Sequence, residues 1–353
     1  MNVLNLLENW LQISNKSFSR QASVTAAEIA CDCSGLINLA FEKLKLPFPY
    51  QLIRPKAVHY YASLQEIGSN KISQLNEGCL LAWRKDILPK SGDTGHVLVT
   101  AGKPTLVAKD RYSIPVFDST KAEGGLAKRY IDLYTDEKGT IIGVKFHKSE
   151  SKIKRTQIYH HSLVKTRYCF GCGLPKKVCN CGVIEPKLES PPIIILRHPG
   201  ERKRTLSTVS LIKQRYPNVL VKEGELFSPL RKEHMVLLFP SDGLEHAEQS
   251  IKESDDQFYI LLDATWRKAK KILHQNPWLQ VLPRTSLRPA SASQYLLRKV
   301  ADEQSLSSVE AFAAVMQDNP LAEMLGGYMQ KHIEVMGEDI YQKNYKNHLN
   351  YRT

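Results

Sequence analysis

The sequence predicts two domains, an N-terminal α+β domain and a C-terminal α/β domain headed by a small four-cysteine module. Three observations carry this. The chain has 353 residues, about two domains at roughly 150 residues each. Up to residue 148, helical patterns come first and strand-like segments follow. From residue 190, short apolar runs alternate with helical patterns, and between the two regions four cysteines fall within 13 residues, 169–181. The expected boundaries are 1–148 for the first domain, 149–167 for a linker and 168–353 for the second. Within the second, the cysteine module occupies 168–183 and the α/β core 190–335.

The opening 30 residues read as a helix with Leu4, Leu7, Trp10 and Leu11 on one face, then a polar loop. A second helix starts near Asp32 and carries Leu36, Leu39, Ala40 and Leu44 to a stop at Pro47 and Pro49. Strand-like segments follow at 79–83, 96–101, 114–117 and 141–146. Residues 147–167 are polar and basic, which suits a linker. Continuous apolar runs at 193–196, 235–239 and 259–262 suit buried parallel strands. The segments after them, 208–216, 244–252 and 265–273, read as helices, and 307–334 as a closing helical region.

Composition narrows the class of protein. Apolar residues are 42% and charged residues 24% of the chain, which excludes a disordered chain, a collagen-like fibre and a small disulfide scaffold. No apolar stretch of about 18 residues exists, so no membrane span is expected. The first 16 residues contain Glu8 and no early positive charge, unlike a signal peptide. A cytoplasmic protein with reduced cysteines is therefore expected. The net charge is +13, and it is concentrated. Residues 1–150 carry 19 basic and 15 acidic side chains, residues 151–299 carry 26 and 13, and residues 300–353 carry 4 and 8. A polyanion such as nucleic acid is expected to dock on the middle stretch.

Cys169, Cys172, Cys179 and Cys181 have the spacing C-x2-C-x6-C-x-C. Four thiolates make a closed structural site that suits zinc, with a small iron–sulfur site as the alternative. Lys176 and Lys177 in the loop offset the negative charge of such a site.

The apolar run 259–262 leads into Asp263-Ala264-Thr265-Trp266 and then a basic helix. Ligands of α/β sheets bind at the C-terminal ends of strands, so Asp263 is a candidate general base. It is equally placed to cap the following helix. Around it stand other ordered blocks: His198-Pro199-x-Glu201, Phe239-Pro240-Ser241, Leu282-Pro283, Ser293-x-Tyr295-x-Leu297-Arg298 and Leu306-Ser307-Ser308-x-Glu310-Ala311. Together with the four cysteines, these make residues 165–330 resemble the DTW-domain family. Ala264, Ser308 and Ala301 stand where that pattern commonly has glycine, threonine and proline. The resemblance implies a SPOUT-related fold, a possible homodimer, and transfer of the 3-amino-3-carboxypropyl group of S-adenosylmethionine to N3 of a uridine in tRNA. Asp263 would take the N3 proton. Phe239, Pro240, Ser241, Thr265, Trp266, Leu306, Ser307, Ser308 and Glu310 would surround the donor, with Trp266 serving either as pocket wall or as core. The cations expected on tRNA phosphates are Arg197, Arg202, Lys203, Arg204, Arg267, Lys268, Arg284, Arg288 and Arg298.

In the N-terminal domain, Asp32-Cys33-Ser34-Gly35 opens a helix, where the free N–H groups and the helix dipole favour a thiolate. Gly95-His96-Val97 starts a strand, and Phe117-Asp118-Ser119 ends another. A cysteine on a helix, a histidine on a strand and a polar residue on the next strand is the papain-like layout. Residues 25–125 resemble the NlpC-type and CHAP-type cysteine peptidase and amidase superfamily. That resemblance implies Cys33 as nucleophile, His96 as base and Asp118 orienting the ring, with a peptide or amide substrate. The expected function is thus an S-adenosylmethionine-dependent tRNA transferase fused to a cysteine amidohydrolase. The alternatives are a zinc-ribbon RNA-binding protein with a vestigial transferase pocket, or primarily a cysteine peptidase or amidase.

Overall fold

The computed structural model describes residues 2–89, 92–147, 153–163, 167–202, 206–230, 234–240, 257–287, 293, 295, 297 and 306–345. It is a mixed α/β structure that divides into two compact units, Met1–Lys176 and Lys177–Thr353. Among the described residues no helix is long and apolar enough to cross a membrane.

The first unit starts with helix α1 (Val3–Leu11) and three short strands, β1 (Asn15–Ser17), β2 (Ser23–Val24) and β3 (Glu28–Ala30), where the sequence suggested a polar loop. Helix α2 (Cys33–Leu44) follows, with Asp32 as its N-cap; Asp32 Oδ1 accepts from the Gly35 N–H at 2.7 Å. Helix α3 (Ala57–Ile67) had no clear sequence signal, being buried along nearly its whole length and so lacking a polar face.

The remaining strands of this unit are β4 (Cys79–Arg84), β5 (Gly95–Thr100), β6 (Thr105–Ala108), β7 (Arg111–Thr120), β8 (Gly125–Thr135), β9 (Ile141–Phe146), β10 (Lys154–Arg155) and β11 (Tyr159–Ser162). They form one sheet in the order β10-β9-β8-β7-β5-β4-β11, with β6 pairing to β7. Side chains alternate across it. Leu80, Ala82, Val97, Val99 and Phe117 pack against α1, α2 and α3. Leu81, Trp83, Leu98, Ile114, Val116, Ile131 and Leu133 build a second core on the opposite face. Burial on both faces explains why β4 reads as an unbroken apolar run. The residues expected to form a linker, 149–167, are in part sheet: β11 pairs antiparallel with β4, and Tyr159 is fully buried. The polar look of this segment reflects its place at the sheet edge.

The second unit has β12 (Ile193–Arg197), α4 (Pro199–Arg202), α5 (Val209–Arg215), β13 (Leu220–Glu223), β14 (Met235–Leu238), β15 (Phe258–Asp263), α6 (Trp266–Gln275), α7 (Pro277–Gln280), β16 (Arg284–Thr285), α8 (Ser308–Met316), α9 (Asn319–Met336) and α10 (Glu338–Asn344). All pairings of its sheet are parallel, in the order β13-β12-β15-β14-β16. The helix expected at 244–252 lies outside the described residues. From β12 the chain continues to β13 on one side, whereas from β15 it continues toward β16 on the other. The direction of winding therefore reverses between β12 and β15. In open α/β sheets that reversal leaves a crevice at the C-terminal strand ends, where ligands bind. The strand ends facing that crevice are Arg197 and Asp263, which are in register.

Candidate active sites

In the first unit, β4, β5, β7 and β8 set three polar side chains at the edge of the second core. Gly95 opens β5 at φ +145°, and a Cβ there would lie 2.2 Å from the Trp83 carbonyl oxygen, so only glycine starts this strand. His96 follows it, with its ring 5.0 Å from that of Trp83 and 5.5 Å from that of Phe146. His96 Nε2 is 2.8 Å from Asp118 Oδ1. Cys33, in the first turn of α2, lies close enough to act on the imidazole. The three residues expected from the sequence therefore converge. Burial alone would lower the His96 pKa, but the Asp118 carboxylate and the Cys33 sulfur outweigh it and push it up to about 10. Burial would raise Asp118, and His96 and Arg129 instead hold it below the usual carboxylate range. Cys31, two residues from Cys33, is a structural thiol. It is fully buried beside the Ser119 hydroxyl, and burial pushes it up to about 11.

The signs of these shifts fix a pH dependence. The raised His96 stabilises the fold fully below its ordinary pKa of 6.5, and that contribution is lost as pH rises through about 10. The gap between the thermal midpoints of the wild type and of Asp118→Asn, compared from about pH 6 to about pH 10.5, is expected to narrow toward the alkaline end. A gap independent of pH would contradict the assignment.

The four expected metal ligands also come together. One ligand atom from each of Cys169, Cys172, Cys179 and Cys181 lies within 4.8 Å of all the others. A tetrahedral zinc–thiolate site has sulfurs about 3.8 Å apart, given Zn–S bonds of about 2.3 Å, so the cluster fits a metal ion with a small contraction. Gly173, at φ +72°, closes the first knuckle, and its N–H donates to the Cys169 carbonyl at 2.8 Å. Lys331 on α9 donates to the Cys179 carbonyl at 2.6 Å.

In the second unit, Asp263 ends β15 at the crevice and is 8% exposed. It does not cap α6, whose N-cap is Thr265. Its Oδ1 instead accepts from the Ser308 hydroxyl at 2.6 Å, which ties the strand end to the first turn of α8. The main chain pins it further, because the His198 N–H donates to the Asp263 carbonyl at 3.1 Å. Trp266 is 40% exposed, with its ring 5.4 Å from that of Phe239, so it is a surface wall beside the strand ends rather than core. Pro240 is half-buried next to Phe239, and Leu306 is half-buried before α8. Ser241 lies outside the described residues.

Two expected donor-binding residues have another role. Glu310 and Ser307 form the capping box of α8, and Glu310 also accepts from Ser293 at 2.8 Å. One oxygen of this carboxylate, Oε2, thus closes the helix end.

The expected phosphate contacts need the largest correction. Arg197 is fully buried and Arg202 nearly so, and both pair with Glu223 on β13, at 3.5 and 3.3 Å. Lys268 pairs with Glu201 at 2.8 Å. Arg197 and Arg202 thus serve the interior, because a buried guanidinium needs a local counter-charge. Arg267 is exposed and Arg284 half-buried. Lys203, Arg204, Arg288 and Arg298 lie outside the described residues. His198, named in the sequence only as part of the His-Pro block, has its Nε2 2.8 Å from Glu225, and its Nδ1 accepts from the Gly200 N–H. Its place in the His-Pro block was the available signal.

Fold and site together define a parallel α/β unit with a carboxylate at the strand-reversal crevice, preceded by a four-cysteine knuckle. Residues 166–339 match the DTW domain model, so this C-terminal part of the chain is similar to the DTW domain family. Over 163 residues the chain is 29% identical to tRNA-uridine aminocarboxypropyltransferase 2 of Mus musculus, covering 42% of this chain and 55% of that protein. It is 29% identical over 170 residues to the protein of the same name from Drosophila melanogaster, covering 43% of this chain and 67% of that one. The chain thus spans about half the length of the mouse relative. No solved structure matches it.

Proposed function

We propose that the second unit transfers the 3-amino-3-carboxypropyl group of S-adenosylmethionine to N3 of a uridine in tRNA, in a SPOUT-related fold. The reading is supported by the family match, by the names of the relatives and above all by Asp263 at the strand-reversal crevice. In the reaction the uridine N3–H proton passes to the Asp263 carboxylate as the N3–Cγ bond forms. The Cγ–S bond breaks, its electron pair returns to sulfur, and 5′-methylthioadenosine leaves. General-base help of this kind is worth ~10²–10⁴ in rate. Ser308 holds the carboxylate toward the crevice, and Trp266 and Phe239 offer an aromatic wall to a flat ring. The cysteine knuckle is read as a structural zinc site: four thiolates leave no open coordination position. Incubation with tRNA and S-adenosylmethionine, followed by measurement of methylthioadenosine, tests the reading. No release from metal-replete protein would overturn it.

Binding to tRNA rests on exposed cations such as Arg267 and Lys270. Raising salt from about 50 to about 200 mM is expected to weaken binding by roughly tenfold or more for a few phosphate contacts. Affinity that does not change over this range would contradict a phosphate-gripping surface.

A specific observation favours a second activity in the first unit. Convergence of Cys33, His96 and Asp118 supports a cysteine amidohydrolase of papain-like layout. Cys33 sulfur attacks an amide carbonyl, the imidazolium gives its proton to the leaving amine, and water releases the acyl group. Iodoacetamide is expected to label Cys33 at neutral pH at least ~10-fold faster than it labels glutathione, as for a thiol activated by an adjacent base. Labelling no faster than glutathione would remove this second reading.

A further inference from the structure

The Cys33–His96–Asp118 centre continues beyond its third member. Asp118 uses both carboxylate oxygens. Oδ1 accepts from His96 and from the Ser119 N–H, and Oδ2 accepts from Nη2 of Arg129 on β8. The Arg129 Nη1 in turn lies 3.8 Å from Glu123, in the turn between β7 and β8. The side chains of His96, Asp118, Arg129 and Glu123 are 14%, 1%, 13% and 11% exposed. Of the neighbouring groups, Asp118 and Cys33 act on the imidazole directly, and Arg129 and Glu123 reach it through Asp118. From imidazolium through Asp118 and Arg129 to Glu123, the charges alternate in sign.

Register explains how the arginine gets there. Asp118 pairs with Ala127 and Val116 pairs with Arg129, so Arg129 is the diagonal neighbour of Asp118 on the same face of the sheet. Its guanidinium also lies 4.3 Å over the Phe146 ring, which packs edge-on against His96.

We propose that Arg129 is the positioning residue of this centre: it clamps the outer oxygen of Asp118, so that the carboxylate holds the imidazole on Cys33. The physical need is specific to a carboxylate in the third position. An amide there would be neutral, whereas a nearly inaccessible carboxylate with one cationic neighbour leaves an oxygen without a donor, which is costly. Arg129 supplies the donor and the charge. Without it, Asp118 takes up a proton at higher pH or turns away, and either change releases His96.

The inference rests on the reading of Cys33 as an activated nucleophile, and the test separates the two. The iodoacetamide labelling rate of Cys33 is followed by peptide mass spectrometry from about pH 4 to about pH 10 in wild type, Arg129→Met, Arg129→Lys, Asp118→Asn and the double variant D118N/R129M. Arg129→Met is expected to move the acid limb of the profile up by about one pH unit and to slow labelling at neutral pH about 10-fold, with Arg129→Lys between it and wild type. In the Asp118→Asn background, removing Arg129 is expected to change nothing further, because the charge it balances is gone. A profile for Arg129→Met that overlays wild type, or an equal loss in both backgrounds, would overturn the proposal while leaving the thiol centre intact. A wild-type Cys33 no faster than glutathione would overturn the reading beneath it.

Discussion

Replacing Asp263 by alanine is expected to lower methylthioadenosine release by ~10²–10⁴-fold, the range for loss of a positioned general base. The N3–H of uridine is only weakly acidic, and the ring nitrogen is a poor nucleophile until the proton leaves. The sulfonium, by contrast, is already a good leaving group, so the carboxylate is placed where the chemistry is hardest. Its partner makes the prediction sharper. Ser308→Ala removes the 2.6 Å hydrogen bond that orients Asp263. It should cost less, on the order of 10-fold for one charge-assisted hydrogen bond of about 1.5 kcal/mol. Asp263→Asn keeps the shape and the Ser308 contact but cannot accept the proton, so it should resemble the alanine variant. An asparagine variant as active as wild type would show that Asp263 only positions the substrate.

Cys172→Ser is expected to take bound metal from about one ion per chain to near zero. Such a site closes a loop that has little core of its own. The knuckle depends on Gly173 at positive φ and on main-chain bonds from Cys169 to Leu174 and Gly173. Cys172 is 1% exposed, so the substituted hydroxyl would also be buried. The thermal midpoint should fall by several degrees, at roughly 2–4 °C per kcal/mol for a unit of this size. Metal analysis and a melting curve on protein purified without chelator check both parts. Full metal content in the variant would show that Cys172 is not a ligand.

The parts of this architecture visible in the sequence were those set by local pattern. The apolar runs of β12, β14 and β15 announced a parallel sheet, and Asp263 stood out because a carboxylate directly followed one of them. The four cysteines announced themselves by spacing, and Cys33 by an N-cap aspartate before a helical pattern. Partnerships across the fold left no such trace. The stretch Arg197–Arg202 looks like a basic surface until Glu223, from a neighbouring strand, is found between both guanidinium groups. Ser308 and Asp263 are 45 residues apart in the chain. Arg129 gave no signal at all, because the segment that forms β8 was not read as a strand and exposes Lys128 and Tyr130 on its other face. Glu310 could have been placed correctly, since Ser307-Ser308-Val309-Glu310 has the S-x-x-E form of a capping box.

Mass analysis of tRNA nucleosides after reaction with S-adenosylmethionine reads the central claim most directly. A uridine heavier by one aminocarboxypropyl group is expected with the wild-type protein and none with Asp263→Ala. Unmodified uridine in tRNA that is bound by folded, metal-containing protein and supplied with donor would contradict it.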